Sequence, residues 1–155
     1  MASSITIGKF LDLSNKEIQE GLNKFLNDSN RSEILIFDSN KIYLDAYNAN
    51  PTSMLAAISN FEKIKNRVLI LGDMFELGEY SDQEHQKIVD FVTNKDYSKV
   101  YLVGDNFSKC NTDGEYFFKF LNTHELAQSD SFKNLKNMNI LVKGSRGVKL
   151  EKLFK

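Results

Sequence analysis

The stretch RVLILGDMFELGEYSDQEHQKIVDFVTNKDYSKVYLVGD, residues 67–105, decides how this chain folds. It opens and closes on short continuous apolar runs, RVLIL (67–71) and KVYLV (99–103), each followed by Gly-Asp. Uninterrupted runs of this length are the form taken by strands buried on both faces of a parallel sheet. Between them Ser81 and Glu84 stand in capping-box spacing ahead of a polar-apolar alternation with helical period, which predicts a helix over 82–94. Strand, helix and strand at this spacing make a βαβ unit.

The same reading extends outward in both directions. Downstream, EYFFKF (115–120) and NILVK (139–143) predict two more strands, with helix within 123–136 and another after Gly147. Upstream, Pro51 sits where a first helical residue belongs, with Asn50 as its N-cap, and that helix should run to about Lys63. SEILIF and KIYLDAY flank the turn-rich DSNK, so 32–37 and 41–46 should form a hairpin. A capping box at Ser14 and Glu17, with Ile18, Leu22, Phe25 and Leu26 on one face, predicts a helix over 15–26. The class is therefore α/β: a mostly parallel, doubly wound sheet with one antiparallel strand supplied by the opening hairpin.

Bulk properties bound the function. With 155 residues the chain is one domain, large enough for a core of its own. Twenty Lys and Arg against 21 Asp and Glu give a net charge of -1, so no whole-domain positive field favours nucleic acid or an anionic membrane. The single cysteine, Cys110, rules out an internal disulfide and a thiolate metal cluster, which fits a reducing cytoplasm. No apolar run approaches a membrane span, and MASSITIGKF lacks the apolar centre of a signal peptide.

In doubly wound sheets, ligands gather beyond the carboxyl ends of the strands. Four polar segments fall there: DAYNANP (45–51), GDMFELGEYSD (72–82), GDNF (104–107) and KGSR (143–146). Each has two readings. Asp45, Asn48 and Asn50 suit local turn and cap bonds, or contact with a ribose or amine beside the aromatic face of Tyr47. Asp73 and Glu76 suit a long polar turn packed over Met74, Phe75 and Leu77, or an ammonium ligand. Lys143, Ser145 and Arg146 suit solvated residues at a helix start, or a carboxylate or phosphate site. His85 reads as a surface or half-buried histidine and Cys110 as a non-nucleophile. No G-x-x-x-x-G-K-[ST], G-x-G-x-x-G or Cys/His metal spacing occurs.

DAYNANPTSM, LGDMFELGEYS and ILVKGSRG, in this order, resemble the carboxy-terminal domain of the Mur ligases. They are most similar to the branch of that family that adds D-alanyl-D-alanine to UDP-N-acetylmuramoyl-tripeptide. ITIGKFLDLSNKEIQEGLNKF resembles the exit from the family's central domain, and NRSE the segment before its carboxy-terminal strands. The resemblance implies a Rossmann-like domain over 29–155, preceded at 1–28 by the tail of the central-domain connection and a first helix. It further implies a fragment of a longer cytoplasmic, monomeric enzyme with an added "MA", inactive by itself and carrying no catalytic residue.

For the whole enzyme, the resemblance implies amide-bond formation through an acyl phosphate, with ATP and Mg²⁺ bound mainly by the central domain. Arg31, Asp45, Tyr47, Asn48, Asn50 and Pro51 would contact ATP. Asp73, Met74, Glu76, Lys143, Ser145 and Arg146 would lie near D-alanyl-D-alanine and the reacting acyl group. Two places depart from the family pattern, Glu33 for glutamine and Gly147-Val148 for Ser-Met. A stand-alone α/β module that binds a nucleotide or small amino compound is the alternative reading.

Overall fold

The computed structural model describes residues 2–28 and 33–155, with side chains from residue 4 onward except within 23–32. Two helices lead, α1 (Ala2–Phe10) and α2 (Asn15–Asp28). Ser14 and Glu17 form the expected capping box: the Ser14 amide donates to Glu17 Oε2 at 2.9 Å and the Glu17 amide to Ser14 Oγ at 3.2 Å. The Ser14 hydroxyl, donating to the same carboxylate oxygen at 2.7 Å, and then the Ser14 amide lower the Glu17 carboxyl from its ordinary value.

The remainder alternates strand and helix: β1 (Glu33–Phe37), β2 (Asn40–Asp45), α3 (Pro51–Phe61), β3 (Arg67–Gly72), α4 (Ser81–Val92), β4 (Lys99–Val103), α5 (Asp105–Lys109), β5 (Phe117–Phe120), α6 (Thr123–Gln128), α7 (Asp130–Lys133) and β6 (Asn139–Lys143). The six strands lie in the order β1-β2-β6-β3-β4-β5. Among the described residues only the β1–β2 hairpin is antiparallel, with Phe37 paired to Asn40 across a two-residue turn.

Alternation along each strand divides the core in two. Leu69, Leu71, Val100, Leu102 and Leu141 pack with α3, α4 and α5. Val68, Ile70, Tyr101, Val103, Ile140 and Val142 pack on the opposite face, against Leu126 of α6 and against Leu150 and Leu153 near the carboxyl terminus. Strands covered on both faces need apolar residues at every position, which is why the runs 67–71 and 99–103 are unbroken.

Several boundaries differ from the sequence reading. Strand β5 begins at Phe117 because Gly114, at φ 110°, turns the chain just before it. The segment 123–136 holds two short helices, since the Ser129 side chain accepts from the Phe132 amide and caps α7 separately. Beyond β6 the chain forms two 3₁₀ turns, Arg146–Val148 and Leu150–Phe154, divided by Lys149 at φ 61°. The Ser81–Glu84 capping box does not form. A 3₁₀ turn at Gly78–Tyr80 feeds directly into α4, whose cap position, Tyr80, carries no side-chain bond.

Candidate functional site

Strand β6 lies between β2 and β3, and its onward connection leaves on the face opposite to α3 and α4. Connections therefore diverge on both sides of β6, the topology that opens a crevice at the strand ends. Register places Asp45 of β2 beside Lys143 of β6, and Leu71 of β3 on the other flank of Lys143.

Asp45 and Lys143 form an ion pair. Lys143 Nζ donates to Asp45 Oδ2 at 2.6 Å and reaches the Asn48 carbonyl at 3.4 Å. The Lys143 side chain is 3% exposed and that of Asp45 30%. The pair joins two groups of residues that the resemblance assigned to different ligands. Above it, the exposed Arg146 guanidinium stands 5.6 Å from the centroid of the Tyr47 ring, so the β2 and β6 loops also meet by cation-π contact. Asn50 caps α3: its Oδ1 accepts from the Ser53 amide at 2.8 Å, its own amide donates to Ser53 Oγ, and Pro51 fills the first helical position. Arg31 lies outside the described residues.

The 73–76 loop is anchored from below. Asp73 is buried, and both its carboxylate oxygens face α5: Oδ2 accepts from the Asn106 amide at 2.9 Å and Oδ1 from the Phe107 amide at 3.0 Å. Gly104 makes room for it, since a Cβ there would fall 2.3 Å from Asp73 Cγ. The Ser145 amide donates to the Asp73 carbonyl at 3.0 Å, and Ser145 Oγ accepts from the Phe75 amide at 2.9 Å. Met74 is buried in the core, whereas Glu76 is exposed at the loop tip with φ 65°. Asp73, Met74 and Ser145 thus act as scaffold, and Glu76 and Arg146 face solvent.

The sequence reading of His85 as a surface or half-buried histidine is corrected by the structure. His85 is fully buried, and its Nε2 accepts from the Met74 amide at 3.0 Å. Its place one helical turn after Ser81, directly downstream of the polar loop, was the available signal. Gly147, at one of the two departures, lies against Phe75: a Cβ there would fall 2.4 Å from a ring that is 46% exposed and would have to turn aside.

Beside Asp45 an open groove of about 580 Å³ runs between the hairpin and α3, with Tyr43, Ala57, Phe61 and Leu141 among its walls. The edge therefore combines an apolar groove, a shielded ion pair, an exposed carboxylate and an exposed guanidinium. Such a set suits ligands that are aromatic, or that carry an ammonium and a carboxylate together. Among the described residues no three His, Cys, Asp or Glu side chains cluster as metal ligands, and no helix is long and apolar enough to cross a membrane.

Fold and site define the class as a Rossmann-like α/β domain whose strand-end loops form a polar ligand-facing edge. Residues 30–146 match the family model for the Mur ligase glutamate ligase domain, and the chain belongs to that family. It is 37% identical over 132 residues to UDP-N-acetylmuramoyl-tripeptide–D-alanyl-D-alanine ligase of Buchnera aphidicola subsp. Acyrthosiphon pisum, covering 81% of this chain and 28% of that protein. The ligase of the same name from Rickettsia prowazekii is 34% identical over 158 residues, covering 95% of this chain and 33% of the relative. The crystal structure of MurF from Acinetobacter baumannii superimposes with a TM-score of 0.76 at 26% identity, covering 96% of this chain and 34% of that one. The chain thus spans about a third of the length of the curated relatives it matches.

Proposed function

We propose that this chain is the carboxy-terminal domain of an ATP-dependent ligase that joins D-alanyl-D-alanine to the tripeptide carboxylate of UDP-N-acetylmuramoyl-tripeptide in the cytoplasm. Residues 29–155 form the ligand-facing domain and 1–28 the connection to the domains before it. The observation that carries the reading is the Asp45–Lys143 pair at the divergence of connections around β6, in a chain whose relatives are named for this reaction.

In this reading Asp45, Tyr47, Asn48 and the groove beside α3 receive the nucleoside part of ATP; Arg31, which lies outside the described residues, is assigned to ATP by the resemblance alone. The groove's size and apolar walls support that use. Asn50 and Pro51 contribute by starting α3 at the right point. Glu76 and Arg146 meet the ammonium and carboxylate of the dipeptide, while Lys143 holds Asp45, and Asp73, Met74 and Ser145 hold the loop.

ATP supplies the phosphoryl group that activates the tripeptide carboxylate. In this reading Mg²⁺ is bound mainly by the central domain, as the resemblance implies. The contribution of this chain is positioning and charge complementarity.

Replacing Asp45 by alanine in the full-length ligase tests the nucleotide assignment. The apparent KM for ATP should rise while the KM for the tripeptide substrate stays unchanged. An unaltered ATP KM would remove Asp45 from the nucleotide site.

A further inference from the structure

His85 has no exposed surface, and its two ring nitrogens have opposite duties. Nδ1 lies 2.7 Å from the Ser81 carbonyl oxygen, which can only accept. Nε2 lies 3.0 Å from the Met74 amide, which can only donate. The bonding pattern therefore requires the neutral ring with its proton on Nδ1. Asp73 Oδ1 is 3.7 Å from Nε2, too far for a hydrogen bond, and accepts from α5 instead. The edge-to-face contact with Phe107, at 4.7 Å between ring centroids, fixes the ring plane.

We propose that His85 is a positioning residue for the acceptor half of the site, setting the 73–76 loop through the Met74 amide so that Glu76 is presented at the strand edge. The role in catalysis rests on the ligase reading above; the latch itself does not. Three successive residues of the loop are held through their backbones. Asp73 and Phe75 are tied to Ser145, and Met74 is tied to α4 through His85. The next residue, Glu76, adopts a left-handed conformation that a non-glycine residue keeps only when its surroundings hold it there. Removing the imidazole acceptor strands a buried amide two residues from this strained position.

The test compares wild type, His85→Leu and His85→Gln. Leucine fills the space without an acceptor; glutamine retains one. In the full-length ligase, His85→Leu should raise the KM for D-alanyl-D-alanine roughly tenfold, the equivalent of one orphaned buried donor, while leaving the KM for ATP unchanged. His85→Gln should recover most of the loss. Equal changes in both KM values, or no gain with glutamine, would make His85 an ordinary core residue and overturn the proposal. If the wild-type ligase does not use D-alanyl-D-alanine, the ligase reading fails and the acceptor role of His85 fails with it.

The latch is judged separately, by nitrogen-15 NMR of this chain. An unprotonated Nε2 and a Met74 amide protected from exchange support it. A protonated Nε2 with a rapidly exchanging Met74 amide refutes it, whatever the kinetics show.

Discussion

Asp45 and Lys143 are joined by one ion pair, yet the two ends are buried unequally, and this makes their loss unequal. Removing the carboxylate leaves an ammonium only 3% exposed, whereas removing the amine leaves a carboxylate that is 30% exposed and can be hydrated. Breaking a fully buried pair costs about 3–5 kcal/mol and an exposed one about 0–1 kcal/mol. We expect Asp45→Ala to cost roughly 2–3 kcal/mol and Lys143→Met about 1 kcal/mol or less on this scale. Urea unfolding midpoints of the two variants check the order. Equal losses would mean that the pair is more solvated than its geometry indicates.

Two other residues contribute to the alkaline limit. Burial pushes the Cys110 thiol from its ordinary 9.0 up to about 11, against the opposing pull of Lys119. Burial also lifts the Tyr97 phenol from 10.0 to about 12, helped by Glu62 and opposed by Arg67. Both groups are more easily ionised in the unfolded chain. Their stabilisation is complete below pH 9 and is lost as pH rises through 9–12. Denaturant midpoints should therefore fall over that window, and Cys110→Ser should make the early part of the fall shallower. Native Cys110 should also resist alkylation at pH 8, which a thiol-trapping time course reads directly.

At the scale of elements, Gly104 shows how one residue couples a strand to a helix and a loop. Its φ of 126° and the place of the Asp73 carboxylate both exclude a side chain. Gly104→Ala should cost about 2–3 kcal/mol through backbone strain and displacement of the Asp73 carboxylate from the start of α5. Thermal unfolding measures the loss. If it stays below about 0.5 kcal/mol, in the range of an ordinary surface change, Asp73 does not depend on the space that glycine leaves.

Elements governed by burial or by local caps were legible in the sequence. The runs at 67–71 and 99–103 are strands because both faces are covered, and Asn50-Pro51 starts α3 through bonds between near neighbours. Elements governed by long-range packing or left-handed residues were not. Nothing local announces that Lys149 breaks the terminal helix into 3₁₀ turns, whereas the cap by which Ser129 divides the 123–136 segment is a bond between near neighbours that the sequence reading passed over. The site follows the same division. Convergence of the four loops followed from topology, but the inward turn of Asp73, the commitment of Ser145 to the 73–75 loop and the burial of His85 depend on partners distant in sequence or hidden beneath the loop. Asp45 and Lys143, 98 positions apart, could not be paired before the place of β6 between β2 and β3 was known.

In the proposed reading, the whole molecule presents half of a site. Its polar edge carries an exposed carboxylate, an exposed guanidinium and a groove, and its sequence holds no G-x-x-x-x-G-K-[ST] loop, which the resemblance places in the central domain. Residues 1–155 alone should therefore give no ATP hydrolysis or ligation above background.

The most direct measurement is ADP release by the full-length ligase with ATP-Mg²⁺ and UDP-N-acetylmuramoyl-tripeptide, with and without D-alanyl-D-alanine, before and after deletion of residues 33–155. The account predicts turnover that requires the dipeptide and disappears with the deletion. Turnover that is indifferent to the dipeptide, or that survives loss of these residues, would contradict it.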